Sequence, residues 1–208
     1  MKFFTIFLAA LLLEFVPPLT VFPALADDAT AKELLLTLKT QISDISSISG
    51  QFTQEKKLDF LNDPVISQGE FYFSRPDYLL WEYLEPLPSG LKMEHGQIEA
   101  WTGRPDQRVK QPEGLTEAAR IAAGQMMLWM NLDPEAIVAA YKVSIIADNP
   151  LVLKLTPKRD GAREMIQSLQ VEFSPDRRTV RQVILNEPQS VITLTFSLVR
   201  TNAPHPSR

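Results

Sequence analysis

Twice along this chain, stretches that alternate apolar and polar residues follow one another with only a few residues between them. VISQGEFYFSR places Gly69, Phe71, Phe73 and Arg75 on one face of an extended strand, with Glu70, Tyr72 and Ser74 on the other. DYLLWEYLEP sets Leu79, Trp81 and Tyr83 against Tyr78, Leu80 and Glu82, and GLKMEHGQIEAW has the form of a hairpin turning at His95-Gly96. From Tyr141 the pattern resumes in YKVSIIA, LVLKLTP, MIQSLQVEFS, TVRQVILN and SVITLTFSLV. Turn signals separate these runs at Asp148-Asn149-Pro150, Arg159-Asp160-Gly161, Ser174-Pro175-Asp176 and Glu187-Pro188. Parallel neighbours need a crossover of a dozen or more residues, so connections this short require antiparallel pairing. About ten such strands predict a strongly curved sheet or partial barrel, with helices packed in or over its mouth.

Three helical segments accompany the strands. Leu34, Leu35, Leu38, Ile42 and Ile45 recur at three- and four-residue steps, which predicts an amphipathic helix over 28–46 packed on a sheet face. Residues 103–114 are polar and rich in Pro and Gly, so they read as loop with at most one short strand. Thr116-Glu117 is placed to open a helix through AARIAAGQMMLWMNL, and Asp133-Pro134-Glu135 opens another through EAIVAAY.

The first 26 residues read as an export leader, leaving 27–208 as a single domain. Lys2 precedes the apolar run Phe3 to Leu13, and Ala24-Leu25-Ala26 supplies a small-x-small cleavage pattern. The run is too short to span a bilayer. Net charge is −4 over the 208 residues and is unchanged by loss of the leader, which carries one Lys and one Glu. That balance lacks the basic stripe expected for nucleic acid. The chain has no cysteine, so an exported domain must rely on its core, which suits a bacterial periplasm. A bacterial lipid anchor would also need a cysteine after the leader, so an untethered, monomeric protein is expected.

Catalytic signals are scarce. The two histidines, His95 and His205, lie in an expected turn and in a Pro-rich tail, neither beside a second plausible ligand. No phosphate-binding glycine loop or nucleophile elbow occurs. Glu82 and Glu85 flank aromatic residues as a carboxylate pair would, but carboxylates on strands and turns are ordinarily solvated. No enzymatic activity, catalytic residue, metal or cofactor is therefore expected.

The unusual chemistry is apolar. The segment IAAGQMMLWMNL is apolar most of the way round and holds three of the six methionines, a flexible, polarizable side chain suited to variable apolar ligands. An ordinary core helix has the same profile. On the strands, Phe71, Phe73, Leu79, Trp81 and Tyr83 share alternating positions and can line one concave face. A half-barrel of this many strands encloses more interior than its own side chains need fill, leaving room for acyl chains. The residues assigned to such a cavity are Phe52, Phe71, Phe73, Leu79, Trp81, Tyr83, Leu91, Met93 and Trp101 on strands. Met126, Met127, Trp129 and Met130 are assigned to it on the helix. Tyr72 and Tyr78 are expected to face outward or under the N-terminal helix.

GEFYFSRPDYLLWEYLEP, LKMEHGQIEAW, and LVLKLTPK followed by MIQSLQVEFS resemble the LolA family of periplasmic lipoprotein carriers. The matching positions are Arg75-Pro76, Trp81, Pro86, Gly96, Trp101 and Leu155 to Lys158, and the likeness runs over about 45 to 200. The resemblance implies an incomplete antiparallel β-barrel with a helical lid. It also implies a carrier that takes lipoproteins from an inner-membrane ABC transporter to an outer-membrane receptor lipoprotein. It further implies that Arg75 latches the closed form by hydrogen-bonding lid backbone. LolA-like relatives also carry or sense other lipids, so a lipid-responsive sensor or accessory domain contacting a protein partner stands as the alternative.

Overall fold

The structure is a computed structural model that describes residues 28–104 and 106–206. The expected leader, residues 1–26, lies outside the described residues. One 11-stranded antiparallel sheet dominates. Its first half is β1 (Ser47–Leu58), β2 (Val65–Ser74), β3 (Tyr78–Glu85), β4 (Ser89–Glu94), β5 (Gln97–Thr102) and the two-residue β6 (Val109–Lys110). Its second half is β7 (Tyr141–Asp148), β8 (Leu151–Pro157), β9 (Ser168–Phe173), β10 (Val180–Glu187) and β11 (Ser190–Thr201). Each half is a meander in which chain neighbours pair, as the short connections require.

The halves join through β1 and β11, each 12 residues long, so the first and last strands form the middle of the sheet. The edges are then β6 and β7, which adjoin in sequence. The chain between them carries helix α2 (Glu113–Met130) and helix α3 (Pro134–Ala140). Since this segment must travel from one open edge to the other, topology itself lays helices across a face of the sheet. Register shifts between Ser49 and Gln51, Gln68 and Gly69, Ile145 and Ala147, and Val180 and Gln182 bend the strands. The result is an incomplete antiparallel β-barrel with helices, the architecture anticipated from the alternation.

Helix α1 (Asp28–Gln41) is shorter than the expected 28–46, although Ile45 beyond its end is still buried. Ala31, Leu35 and Leu38 pack with Ile137 of α3 onto Leu151, Leu153 and Leu155 of β8 and the inward residues of β7 and β9. Helix α2 begins at Glu113, three residues before the expected Thr116. Helix α3 starts as expected: the Asp133 carboxylate accepts from the Glu135 and Ala136 amides, with Pro134 in the first turn. His95 and Gly96 turn the β4–β5 hairpin with φ of 48° and 73°, and the anticipated short strand in the polar loop is β6. A single helical turn, α4 (Asp160–Arg163), follows β8.

Candidate functional site: an apolar wall beneath a tethered helix

Alternation in β2 and β3 survives intact in the structure. Phe71, Phe73, Leu79, Trp81 and Tyr83 lie on the helix-bearing face. Register then extends that face across the sheet: Gly69 pairs with Phe52 of β1, Phe71 with Trp81, and Trp81 with Leu91 of β4. Phe52 stacks on Trp81 with ring centroids 4.1 Å apart and meets the Tyr83 ring edge-on at 5.2 Å. Phe196, arriving on β11, closes edge-on against Phe71 at 5.4 Å. The wall is thus assembled from strands far apart in sequence.

A glycine makes the stacking possible. A Cβ at Gly69 would stand 2.3 Å from the Phe52 ring and 2.1 Å from the Glu82 carbonyl oxygen. Phe52 therefore lies flat over a bare stretch of β2, beside the register shift at Gln68–Gly69.

Helix α2 covers part of this wall. Met127 and Ala123 pack on Phe73 and Leu79, with Met93 and Ile98 at the margin. Met126 and Met130 bridge from that group to the cluster of Phe52, Phe71 and Trp81. Among the described residues, three polar contacts tie the helix and its C-terminal cap to their surroundings. Arg120 donates to the Gly96 carbonyl at 3.2 Å, Tyr141 donates to Gln125 Oε1 at 2.8 Å, and Asn131 Nδ2 donates to the Pro76 carbonyl at 3.2 Å. Hydrogen bonds of this kind contribute about 1 kcal/mol each. The helix is held by a few modest bonds and by methionines, which repack readily.

Three sequence expectations need correction. Arg75 does not bond lid backbone: its guanidinium donates to the Ile42 carbonyl at 3.1 Å, just past the end of α1. Arg75 lies one residue beyond the end of β2, and the Ile42 carbonyl it reaches, which also accepts from the Ile45 amide at 3.1 Å, follows the N-terminal helix rather than α2. Arg178 donates to the Gln41 carbonyl at the same helix end and pairs with Asp44. That bond holds the Asp44 carboxyl below its ordinary range. The lid tie expected of Arg75 is made instead by Asn131, to the carbonyl of Pro76.

Trp101 is not on the cavity wall. It pairs with Gly90, which pairs with Glu82, so register puts it on the opposite face. There it packs with Tyr72, Tyr78 and Leu80. The Arg108 guanidinium sits 4.2 Å over its ring while bonding the buried Glu82 carboxylate. Glu82 is thereby accounted for as a buried charge with a partner, and Glu85 is exposed at the end of β3. A recess of about 210 Å³ beside Trp101 and Glu82 is smaller than the roughly 300–1,000 Å³ of ligand pockets.

Trp129 points away from the aromatic wall, to Tyr141 at 5.3 Å and the core of the second half-sheet. Tyr72 and Tyr78 do face away from the helices, but the chain's end covers them rather than α1. The Ala203 carbonyl accepts from Ser47 and Tyr72, and the His205 ring lies 4.4 Å from that of Tyr78.

Sequence reasoning missed Ile48, Leu194 and Phe196 on the wall, Arg120 and Gln125 on α2, and Asn131 at its C-cap. The alternation of SVITLTFSLV contained Phe196, but only the β1–β11 pairing reveals which wall it joins. Among the described residues, no group of three or more metal-ligating side chains occurs, and no helix is long and apolar enough to cross a membrane.

An open, curled antiparallel sheet whose apolar concave face lies under helices defines a class of incomplete β-barrels. Residues 43–208 match the family model described as outer membrane lipoprotein carrier protein LolA. The chain belongs to the LolA family. An outer-membrane lipoprotein carrier protein of Alkalilimnicola ehrlichii is 35% identical over 79 residues, covering 38% of this chain and 36% of that protein. The match thus spans about a third of that relative's length. Among solved structures, the MucA/MucB complex of Pseudomonas aeruginosa aligns with a TM-score of 0.50 at 15% identity, covering 85% of this chain and 59% of the other. At that identity the likeness is one of fold.

Proposed function

We propose that this protein is a soluble periplasmic carrier. It binds acyl chains of lipoproteins, or related lipids, between the aromatic wall and α2, and shuttles them from the inner to the outer membrane. Residues 1–26 direct export and are removed, and the remaining single domain works as a monomer. The donor is an inner-membrane lipoprotein-releasing ABC transporter and the acceptor an outer-membrane receptor lipoprotein. One observation carries the reading: a LolA-family sheet presents an aromatic wall beneath a methionine-bearing helix tied down, among the described residues, by modest hydrogen bonds.

The physical logic is one of balance. Each acyl CH₂ removed from water is worth about 0.8 kcal/mol, so acyl chains cannot cross an aqueous compartment bare. A carrier that held them as tightly as a membrane could not deliver them. A lid that must be displaced lowers the apparent affinity by the fraction of open protein. The strand residues proposed as cavity lining are Phe52, Phe71, Phe73, Leu79, Trp81, Tyr83, Leu91 and Met93, and Met126, Met127 and Met130 line it from the helix.

The test is release of an acylated lipoprotein from spheroplasts by the purified protein, followed by native mass spectrometry of the complex. Failure to release it or to bind its acyl moiety would sink the carrier reading. Capture of a protein partner without any transfer would select the sensor alternative.

A further inference from the structure

Among the described residues, the wall contains one polar atom that the fold leaves without a partner. Trp81 is 3% exposed, and its indole Nε1 is buried with no hydrogen-bond acceptor. The adjacent Tyr83 phenol feels the indole N–H, but its own proton goes to Gln54 Oε1 at 2.7 Å, and no acceptor meets bonding geometry at Trp81. Burial also pushes the Tyr83 hydroxyl above its ordinary range, keeping it neutral throughout the physiological interval. A buried donor left unmade is costly, and native structures rarely keep one without a use.

We infer that Trp81 Nε1–H is the docking point for an acyl carbonyl, ester or amide, at the head of one bound chain. The inference rests on the acyl-carrier reading and adds which end of the cargo is recognised. The rings around the indole are those of Phe52, Phe71 and Phe196, all apolar. A water placed there would find the indole and at most Tyr83, the lower limit of the two to four polar partners a buried water takes. A carbonyl needs one donor and carries its own apolar tail. The cover over this cluster is Met126 and Met130, flexible side chains that yield without breaking backbone bonds. The chain then runs from Trp81 beneath α2, with its head fixed by one hydrogen bond.

The experiment uses protein expressed from the full-length gene, with ¹⁵N-labelled indoles. Three probes share one chain length: a diacyl phosphatidylglycerol, its dialkyl ether analogue, and an N-acylglycine. The wild type binds the diester about five-fold more tightly than the diether, and the Trp81 indole proton moves downfield with the diester and not with the diether. In Trp81→Phe the preference is lost, so that diester and diether bind alike whatever their absolute affinity. Downfield shifts with both the diester and the N-acylglycine show that ester and amide carbonyls use the same donor. Equal affinity of the wild type for diester and diether, a preference that persists in Trp81→Phe, or an indole already hydrogen-bonded in ligand-free protein would overturn the inference while leaving the carrier reading intact. Binding of none of the probes overturns the carrier reading and this inference together.

Discussion

Substituting Gly69 tests the wall where its geometry is tightest. An alanine methyl at this position would stand 2.1 Å from the Glu82 carbonyl oxygen and 2.3 and 2.6 Å from two atoms of the Phe52 ring. Contacts below 3.0 Å must be relieved by movement. Rotation of Phe52 alone cannot relieve them, because one obstacle is backbone of the paired strand β3. Phe52 is itself 1% exposed and wedged against Trp81 and Tyr83. Burying the methyl would gain about 0.8 kcal/mol, and restricting the unfolded chain a further ~0.4–1 kcal/mol. Overpacking at a rigid site costs about 1–3 kcal/mol and more where backbone must shift, and here two strands and a fully buried ring have to move. With the cost at or somewhat above the top of that range, Gly69→Ala is therefore expected to destabilise by about 1–2 kcal/mol net. In urea that lowers the unfolding midpoint by about 0.5–1 M at an ordinary slope. Tryptophan fluorescence is a suited reporter, because Trp81 stacks on the displaced ring. Gly124 on α2 supplies the opposite sign: nothing lies within 4 Å of its added Cβ. Gly124→Ala should stabilise by about 0.5–1 kcal/mol through helix propensity. A loss below about 0.5 kcal/mol for Gly69→Ala, on the same scale as ordinary surface changes, would refute the packing of Phe52 over Gly69.

Removing the lid tie with Asn131→Ala should raise the open fraction of α2 about five-fold, the worth of one modest hydrogen bond. The measurement is the association rate of a fluorescent fatty acid, and an unchanged rate would dismiss the tie to Pro76. Arg75→Leu should lower stability by about 1–2 kcal/mol, since a charged donor to the end of α1 is lost. Its effect on fatty-acid association and release should be smaller than that of Asn131→Ala, and the reverse ranking would return Arg75 to the lid. The Asp44 carboxyl is depressed first by its hydrogen bond from Arg178, and charge interaction with Arg75 adds a smaller share. A depressed folded value stabilises above the ordinary 3.8 and loses that contribution as pH falls through the folded value. Urea midpoints followed from pH 6 to pH 3 should therefore fall more steeply for wild type than for Arg178→Ala, and parallel slopes would contradict the pairing.

Much of the fold was written in local pattern. The two-residue period of VISQGEFYFSR and DYLLWEYLEP placed Phe71, Phe73, Leu79, Trp81 and Tyr83 together, and the structure keeps them so. His95-Gly96 and Asp133-Pro134 marked a turn and a helix start correctly because their chemistry acts within a few residues. Trp101 was misplaced for the complementary reason. Its face depends on the register of β5 against β4, counted through Gly90, and a shift of one residue exchanges the faces. Trp129 sits on a helix apolar on most sides, where periodicity cannot tell the aromatic wall from the neighbouring core.

Alternation and turn chemistry by themselves thus determined an antiparallel, curled sheet with helices between its halves, because both act over short stretches of chain. Pairing between β1 and β11 joins residues from Leu58 and Ser190 to Ile48 and Thr201, more than a hundred positions apart in the chain, and no local signal carries it. That contact brought Phe196 to the wall and made β6 and β7 the edges that α2 and α3 must bridge. It was likewise tertiary structure that gave Arg75 the Ile42 carbonyl and left the Pro76 carbonyl to Asn131. A hydrogen-bonding side chain takes the partner that packing brings within about 3 Å, and packing is a property of the whole chain.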